Sequence, residues 1–299
     1  MKVVAVGGSG FVGRYVVRRI LARGWEVINV DLRVPRHTSS AERMIVADLL
    51  AQDGPEVAAR KCGSVDAVVW LAASIRQITH VDERAREDIQ LMVYAPLQFL
   101  EALSSKPRSL TYLSSIEVYG RPTQLPVHED HQTEPFTAYG AAKLCAEHYM
   151  DVWSRKNKVA MAALRAAFIY GPGQHSGNVI PRFIEAVRRG EPPTVYGTGS
   201  DLRDDVFVDD VALAIEYTVA RSASGAFNVA SGHPHTLWEV AEAVAKLGQP
   251  SLQPKRRPDI SSNWIDRCYS IERARQVLEC PETTPFERGL TAMWNEEMP

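Results

Sequence analysis

Cysteine is scarce in this chain: four residues in 299, at Cys62, Cys145, Cys268 and Cys280, with no CxxC pair and no metal-ligand spacing. Thiols so few and so scattered argue against a disulfide scaffold and a cysteine-held metal, and they fit a reducing compartment. Long apolar runs are also missing. No segment approaches the ~20 apolar residues that cross a bilayer, and no cleavable leader is expected at the N-terminus. A cytoplasmic protein with no membrane contact is therefore expected. Excess charge of either sign is absent too: 34 Lys and Arg stand against 36 Asp and Glu, which leaves no basic surface for nucleic acid. The one dense basic stretch, Arg14, Arg18, Arg19 and Arg23, recurs along one side of a helix and reads as a solvated face. Internal repeats and low-complexity tracts are lacking as well.

What is present begins at the N-terminus. Val3–Val6 reads as an apolar strand, followed directly by Gly7, Gly8, Ser9, Gly10, Phe11, Val12 and Gly13 and then a helix to Ala22. The G-x-x-G-x-x-G spacing suits a tight strand-to-helix turn. There a backbone without Cβ atoms lets a pyrophosphate approach, and the helix N-terminus favours its charge.

The rest of the first half keeps the same rhythm. Strands are expected at Glu26–Val30, Ile45–Asp48, Val65–Ala72, Ser109–Ser115 and Val159–Arg165. Helices are expected over Pro55–Lys61, one long stretch near Arg84–Leu103, and from about Tyr139 to Arg155. Apolar strands alternating with helices indicate an α/β fold with a doubly wound parallel sheet. After Tyr170 the rhythm breaks at Gly171-Pro172-Gly173, and shorter elements follow: helices at Ile180–Arg189, Asp209–Ala220, Leu237–Leu247 and Ile271–Leu278, strands at Thr194–Tyr196 and Ala226–Val229. The expected organisation is residues 1–170 as a dinucleotide-binding domain and 171–299 as a smaller mixed α/β substrate lobe, with some segments free to return to the main sheet.

Asp31, eighteen residues after Gly13 at the tip of the second strand, is placed to accept the ribose hydroxyls of an adenosine. Its charge would repel a 2′-phosphate, so NAD is expected over NADP, although Arg33 and Arg36 nearby weaken that preference. Leu32 follows it. Asp48 and Leu49 close the third strand at the expected adenine edge, and Leu71, Ala72 and Ala73 end the fourth with mostly small residues that a flat ligand can approach.

Tyr139 and Lys143 form Y-x-x-x-K, and positions i and i+4 share a helix face. A lysine cation there favours the phenolate of a side chain whose reference pKa is about 10, so the tyrosine can exchange a proton near neutrality. Ser115, closing the preceding strand, can hydrogen-bond the same oxygen.

These motifs resemble the extended short-chain dehydrogenase/reductases, specifically the NAD-dependent epimerase/dehydratase group acting on nucleotide sugars. The glycine turn, Leu71-Ala72-Ala73, Ser114-Ser115-Ile116-Glu117-Val118-Tyr119-Gly120, Tyr139-x-x-x-Lys143, Arg165-x-x-x-x-Tyr170-Gly171-Pro172-Gly173, the stretch Arg203–Val211 and Arg257-Pro258-Asp259 carry the resemblance. It implies a Rossmann-type fold with NAD as cofactor. It also implies Tyr139 as acid/base, Lys143 tuning it and binding the nicotinamide ribose, and Ser115 orienting the reacting oxygen. Asn178 would contact the substrate diphosphate, Arg203 and Arg257 would grip the nucleotide and its phosphates, and Val195 and Tyr196 would lie against the base. Relatives pair two long helices across a two-fold axis, so a homodimer with a four-helix interface is expected.

The dehydratase subgroup carries Asp-Glu after the Ser or Thr; here Ile116 removes half of that pair and leaves Glu117. Hydride return without elimination asks least of the residues present and favours a UDP-sugar 4-epimerase. A decarboxylase or 4,6-dehydratase using Glu117, a dehydrogenase or ketoreductase of a non-nucleotide substrate, and a non-catalytic dinucleotide-binding regulatory protein remain as alternatives. Two departures from the family pattern bear on substrate: Met92-Val93 stands where an asparagine is common, and Ser74-Ile75-Arg76 where relatives often carry Glu-Ser-His. Arg76 could meet a substrate anion or an external carboxylate.

Overall fold

A computed structural model describes residues 1–34, 42–74, 81–257 and 265–296. Arg36, Ile75, Arg76, Pro258 and Asp259, all named above, lie outside them.

The first half runs β1 (Lys2–Val6), α1 (Phe11–Ala22), β2 (Glu26–Asp31), β3 (Glu42–Val46), α2 (Gly54–Cys62), β4 (Ala67–Trp70), α3 (Val81–Ile89), α4 (Ala95–Ala102), β5 (Ser109–Ser115), α5 (Ala138–Asn157) and β6 (Ala160–Ala166). The second half adds β7 (Phe168–Tyr170), α6 (Val179–Arg188), β8 (Thr194–Tyr196), β9 (Leu202–Arg203), β10 (Asp205–Phe207), α7 (Val208–Arg221), β11 (Gly225–Val229), β12 (His235–Thr236), α8 (Leu237–Gly248), β13 (Lys255–Arg257), α9 (Glu272–Leu278) and α10 (Phe286–Trp294).

Seven strands form one all-parallel sheet in the order β11-β6-β5-β4-β1-β2-β3. Successive strand residues face opposite sides, so Val3 and Ala5 enter one core and Val4 and Val6 the other. The first core holds α1, α7 and α8; the second is closed by α2, α4 and α5 around Trp70, Phe99 and Met150. The chain reverses direction of strand addition at β1, and the crevice above β1 and β4 is where such sheets take ligands.

Several expectations are corrected. The third strand lies at Glu42–Val46, earlier than Ile45–Asp48: Ala47 N still bonds the Asp31 carbonyl at 2.9 Å, but Asp48 already caps the turn ahead of α2 through the Leu50 amide. The long helix over Arg84–Leu103 is interrupted by a π-helical turn, Gln90–Tyr94, just before Pro96, which cannot donate to a helical ladder. The short Phe286–Trp294 helix lacked caps legible in sequence. By contrast, the strand expected at Ala226–Val229 is present as Gly225–Val229 and, as allowed for, returns to the edge of the main sheet beside β6.

The arginine face of α1 is not simply solvated: its side chains, partly exposed, are taken up by acids of α7 and a backbone carbonyl. Arg18 and Arg19 reach Asp209 at 3.0 Å, and Arg19 and Arg23 pair with the buried Glu216, both acids on α7. Arg14 Nη2 donates to the Pro172 carbonyl at 2.6 Å, as does the Tyr15 hydroxyl at 2.9 Å. The basic stripe is a partly covered, ion-paired seam between α1, α7 and the Gly171-Pro172-Gly173 turn. Spacing along α1 could not reveal its acidic partners, which lie about 190 residues away in sequence.

Candidate active site

The glycine turn is built by close contacts. Gly7 has φ +87°, and a Cβ there would lie 2.7 Å from the Ala72 amide nitrogen; a Cβ on Gly13 would lie 2.3 Å from the Gly7 carbonyl oxygen. Side chains at either position would therefore separate the turn from α1 or from the end of β4. Gly10 caps α1 without a side-chain hydrogen bond, and no acid occupies the first turn, so the helix N-terminus is suited to receive an anion. Phe11 and Val12 begin the helix and pack on the first core. Asp31 accepts from the Ser9 amide at 3.0 Å and the Arg33 amide at 3.1 Å, which holds its carboxylate beside the turn. Leu32 is exposed, Asp48 caps Leu50 N at 2.9 Å, Leu49 is buried, and Leu71, Ala72 and Ala73 are half-buried where β4 ends. A cradle without Cβ atoms, an uncapped helix terminus and an adjoining carboxylate fit a dinucleotide.

Across the crevice, α5 starts at Thr137, whose hydroxyl accepts the Gly140 amide at 3.0 Å. Tyr139 is half-buried and Lys143 fully buried. The Lys143 ammonium donates to the Leu113 carbonyl at 2.7 Å and sits 5.6 Å from the Tyr139 ring centre and 4.6 Å from that of Tyr112. Burial pulls its pKa down from the usual lysine range to about 7, opposed by the charges of Glu147 and Asp88. Ser115 ends β5, and its hydroxyl accepts the Glu117 amide at 3.2 Å. The structure thus brings Ser115, Glu117, Tyr139 and Lys143 to one end of β5 and α5.

A short 3₁₀ turn, Ile116–Tyr119, presses against the first turn of α5: a Cβ on Gly140 would lie 2.6 Å from the Glu117 carbonyl oxygen. Gly140→Ala, although favoured by helix propensity, is expected to push Tyr139 away from Ser115. It should lower kcat by about tenfold or more and destabilise by roughly 1–3 kcal/mol, read by steady-state kinetics and thermal melting.

Glu117 carries more than position alone suggested. Its Oε1 lies 3.0 Å from Nη1 of the buried Arg267, and its Oε2 accepts from the Thr137 hydroxyl at 3.3 Å. Arg267 escaped the sequence reading because no motif spacing marks it; only the fold brings it beside β5. Arg165, which opens the Arg165–Gly173 motif, turns inward: it pairs with buried Glu147 at 2.8 Å and donates to Tyr119 and to the Glu129 carbonyl, both at 3.1 Å.

The residues assigned to substrate fall in separate places. Val195, Tyr196 and Arg257 come together on the β8–β13 ribbon, with Tyr196 opposite Arg257. Asn178 is exposed before α6 and donates to the His175 carbonyl at 3.2 Å. Arg203 is buried and bound to Asp205 through Nε (3.2 Å) and Nη2 (2.9 Å).

The profile of the NAD dependent epimerase/dehydratase family matches residues 3–230. The chain belongs to that family. It is 30% identical to a UDP-glucose 4-epimerase of Mycolicibacterium smegmatis over 97% of this chain and 96% of that one. It is 28% identical to UDP-glucuronic acid decarboxylase 2 of Arabidopsis thaliana, over 98% of this chain and 67% of that one. Among solved structures, MoeE5 in complex with UDP-glucose and NAD superimposes with a TM-score of 0.85 at 26% identity, covering 99% of this chain and 98% of that one. Among the described residues of this epimerase/dehydratase family member, no helix is long and apolar enough to cross a membrane.

Proposed function

We propose that this protein is an NAD-dependent UDP-sugar 4-epimerase. The observation that carries the reading is the Tyr139–Lys143 face of α5, with the lysine buried against β5 and Ser115 at the strand's end. The Mycolicibacterium smegmatis UDP-glucose 4-epimerase, matched over 96% of its length, supports it. In this reading the turn at Gly7, Gly10 and Gly13, with Asp31, holds the dinucleotide, and residues 171–299 supply most of a nucleotide-sugar lobe.

Bound NAD supplies the hydride acceptor and donor at C4 of the sugar. The chain's own part is proton management and grip. Ser115 Oγ donates to the C4 oxygen and orients it. Tyr139 takes the C4 hydroxyl proton as the ketone forms, and the Lys143 cation below stabilises the phenolate that makes this possible. The keto sugar turns while Arg203 and Arg257 retain the diphosphate, so that the hydride comes back to the opposite face of C4 as Tyr139 returns its proton to the C4 oxygen.

A second reading has its own observation. Glu117 and the buried Arg267 form a charge pair next to Ser115, a pairing suited to a substrate carrying a carboxylate, as in a UDP-uronate decarboxylase. Incubation with NAD and a panel of UDP-glucose, UDP-galactose and UDP-glucuronic acid separates the two. A product of unchanged mass and inverted C4 supports epimerisation; loss of carbon dioxide overturns it and puts Glu117 at the centre.

The assembly proposed is a homodimer. Ile89 and Tyr94, around the π turn, and Tyr149 and Val152 on α5 are each more than half exposed, at 51%, 52%, 56% and 58%, and α3 packs on α5. Covering such large apolar side chains suits a four-helix interface. Val152→Glu with Tyr149→Glu is expected to convert a dimer to a monomer in analytical ultracentrifugation. Its free cysteines support a cytoplasmic enzyme working on a nucleotide sugar.

A further inference from the structure

Arg203 already shares its guanidinium with Asp205, whereas Arg182, which no motif marks, keeps its charge unshared. Arg182 is exposed on the first turn of α6, and among the described residues its side chain makes no ion pair and no hydrogen bond. Its guanidinium carbon lies 5.8 Å from the ring centre of the half-buried Tyr196. Tyr196 stands opposite Arg257 across the β8–β13 pair, and register partners on adjacent strands present their side chains to one face. Arg182, Tyr196 and Arg257 therefore gather on the same side of the ribbon. Asn178 is one helical turn away: its carbonyl accepts the Arg182 amide at 3.0 Å.

The helix fixes this placement. Ile180, Phe183, Ile184 and Val187 bury one side of α6 in the first core, which turns Arg182 outward. Helical side chains lean toward the N-terminus, so Arg182 covers the turn that Asn178 begins. That terminus suits an anion. The Asn178 side chain donates to the His175 carbonyl instead of capping the helix, and no acid stands in the first turn. An exposed arginine without a counter-charge samples many rotamers. Stacking on Tyr196 narrows that choice through the ring quadrupole, adds no negative charge and leaves the N–H fork open. The same fork matches two phosphate oxygens with parallel, charge-assisted hydrogen bonds. We infer that Arg182 is a substrate-binding residue that takes the diphosphate of the nucleotide sugar at the N-terminus of α6. The inference rests on the UDP-sugar reading and adds to it a cation that no carboxylate of the described residues neutralises.

The test compares binding of UDP and of uridine to the full-length protein by calorimetry, for the wild type, Arg182→Gln, Arg182→Lys and Arg189→Gln. Glutamine removes the charge, and lysine keeps it. Arg189, at the other end of α6 and paired with Glu191 at 3.1 Å, controls for net charge. Arg182→Gln is expected to weaken UDP about tenfold and uridine less than about twofold, with Arg182→Lys within about threefold of the wild type and Arg189→Gln within about twofold for UDP. KM for the UDP-sugar should rise about tenfold in Arg182→Gln while kcat stays within about threefold. Equal losses for UDP and uridine, an Arg189→Gln as weak as Arg182→Gln, or an Arg182→Lys as weak as Arg182→Gln overturn the assignment. A wild type that binds UDP with Arg182→Gln unchanged overturns the Arg182 assignment alone; a wild type that binds no UDP overturns the functional reading and the assignment with it.

Discussion

Lys143→Met is expected to lower kcat by about 10²–10⁴ at pH 7 and, in the same cofactor-stripped protein, to raise the melting temperature. The two effects share one cause. Lys143 is fully buried, and burial pulls its pKa to about 7 from an ordinary 10.5. Between those values the unfolded chain binds a proton that the folded one does not, so stability rises with pH across that window. Below about pH 7 both states hold the proton, and the folded state bears the whole cost of the buried cation. At one pKa unit per 1.36 kcal/mol that cost is on the order of 5 kcal/mol, already net of the attraction to Glu147 and Asp88, and the lost bond to the Leu113 carbonyl subtracts from it. Methionine removes the charge at similar volume. The variant should therefore melt higher than the wild type at pH 6, with the gap closing toward pH 10. A gap independent of pH would overturn this account. Activity moves the opposite way. A tyrosine without a neighbouring cation titrates near pH 10, so residual turnover of the variant should climb about tenfold per pH unit up to that value. Differential scanning fluorimetry and a pH–rate profile read both.

Much of this centre is legible in the sequence because its logic is local. The glycine turn follows a strand by direct chain continuity, and Tyr139 and Lys143 share a face through helical spacing alone. Asp31 sits at a strand tip that alternation locates. Partners distant in the chain were not legible. Asp209 and Glu216, which receive the α1 arginines, lie on a helix that packs against α1 only after the sheet has formed. Arg267 and Phe168 lie beside Glu117 and Arg203 through the same tertiary closure. The third strand and the interrupted helix were misplaced for a different reason. Strand ends and π turns depend on which backbone partner is available, and residue periodicity does not record it.

Glu147→Gln is expected to be the most destabilising single polar change near the site, by about 3–5 kcal/mol. Glu147 lies one turn beyond Lys143 on the same face of α5, and both it and Arg165 are buried. Its two oxygens accept from Arg165 Nε (3.2 Å each), from Arg165 Nη2 (2.8 Å) and from the Ser114 hydroxyl. Glutamine replaces one acceptor with a donor aimed at a guanidinium and leaves a buried cation without its counter-charge. At roughly 2 °C per kcal/mol for a chain of this size, the melting temperature should fall by about 6–10 °C. Losing the carboxylate also removes one of the two charges that support protonated Lys143. The stability loss should therefore come with a larger fall in kcat than in substrate affinity. Removing both partners gives the check. With Glu147→Met and Arg165→Met together no unpaired charge remains, so the double variant should lose at least about 2 kcal/mol less than the sum of the single losses. Additive losses in that double-mutant cycle would mean that the pair is not coupled, and that Arg165 is held by Tyr119 and the Glu129 carbonyl alone.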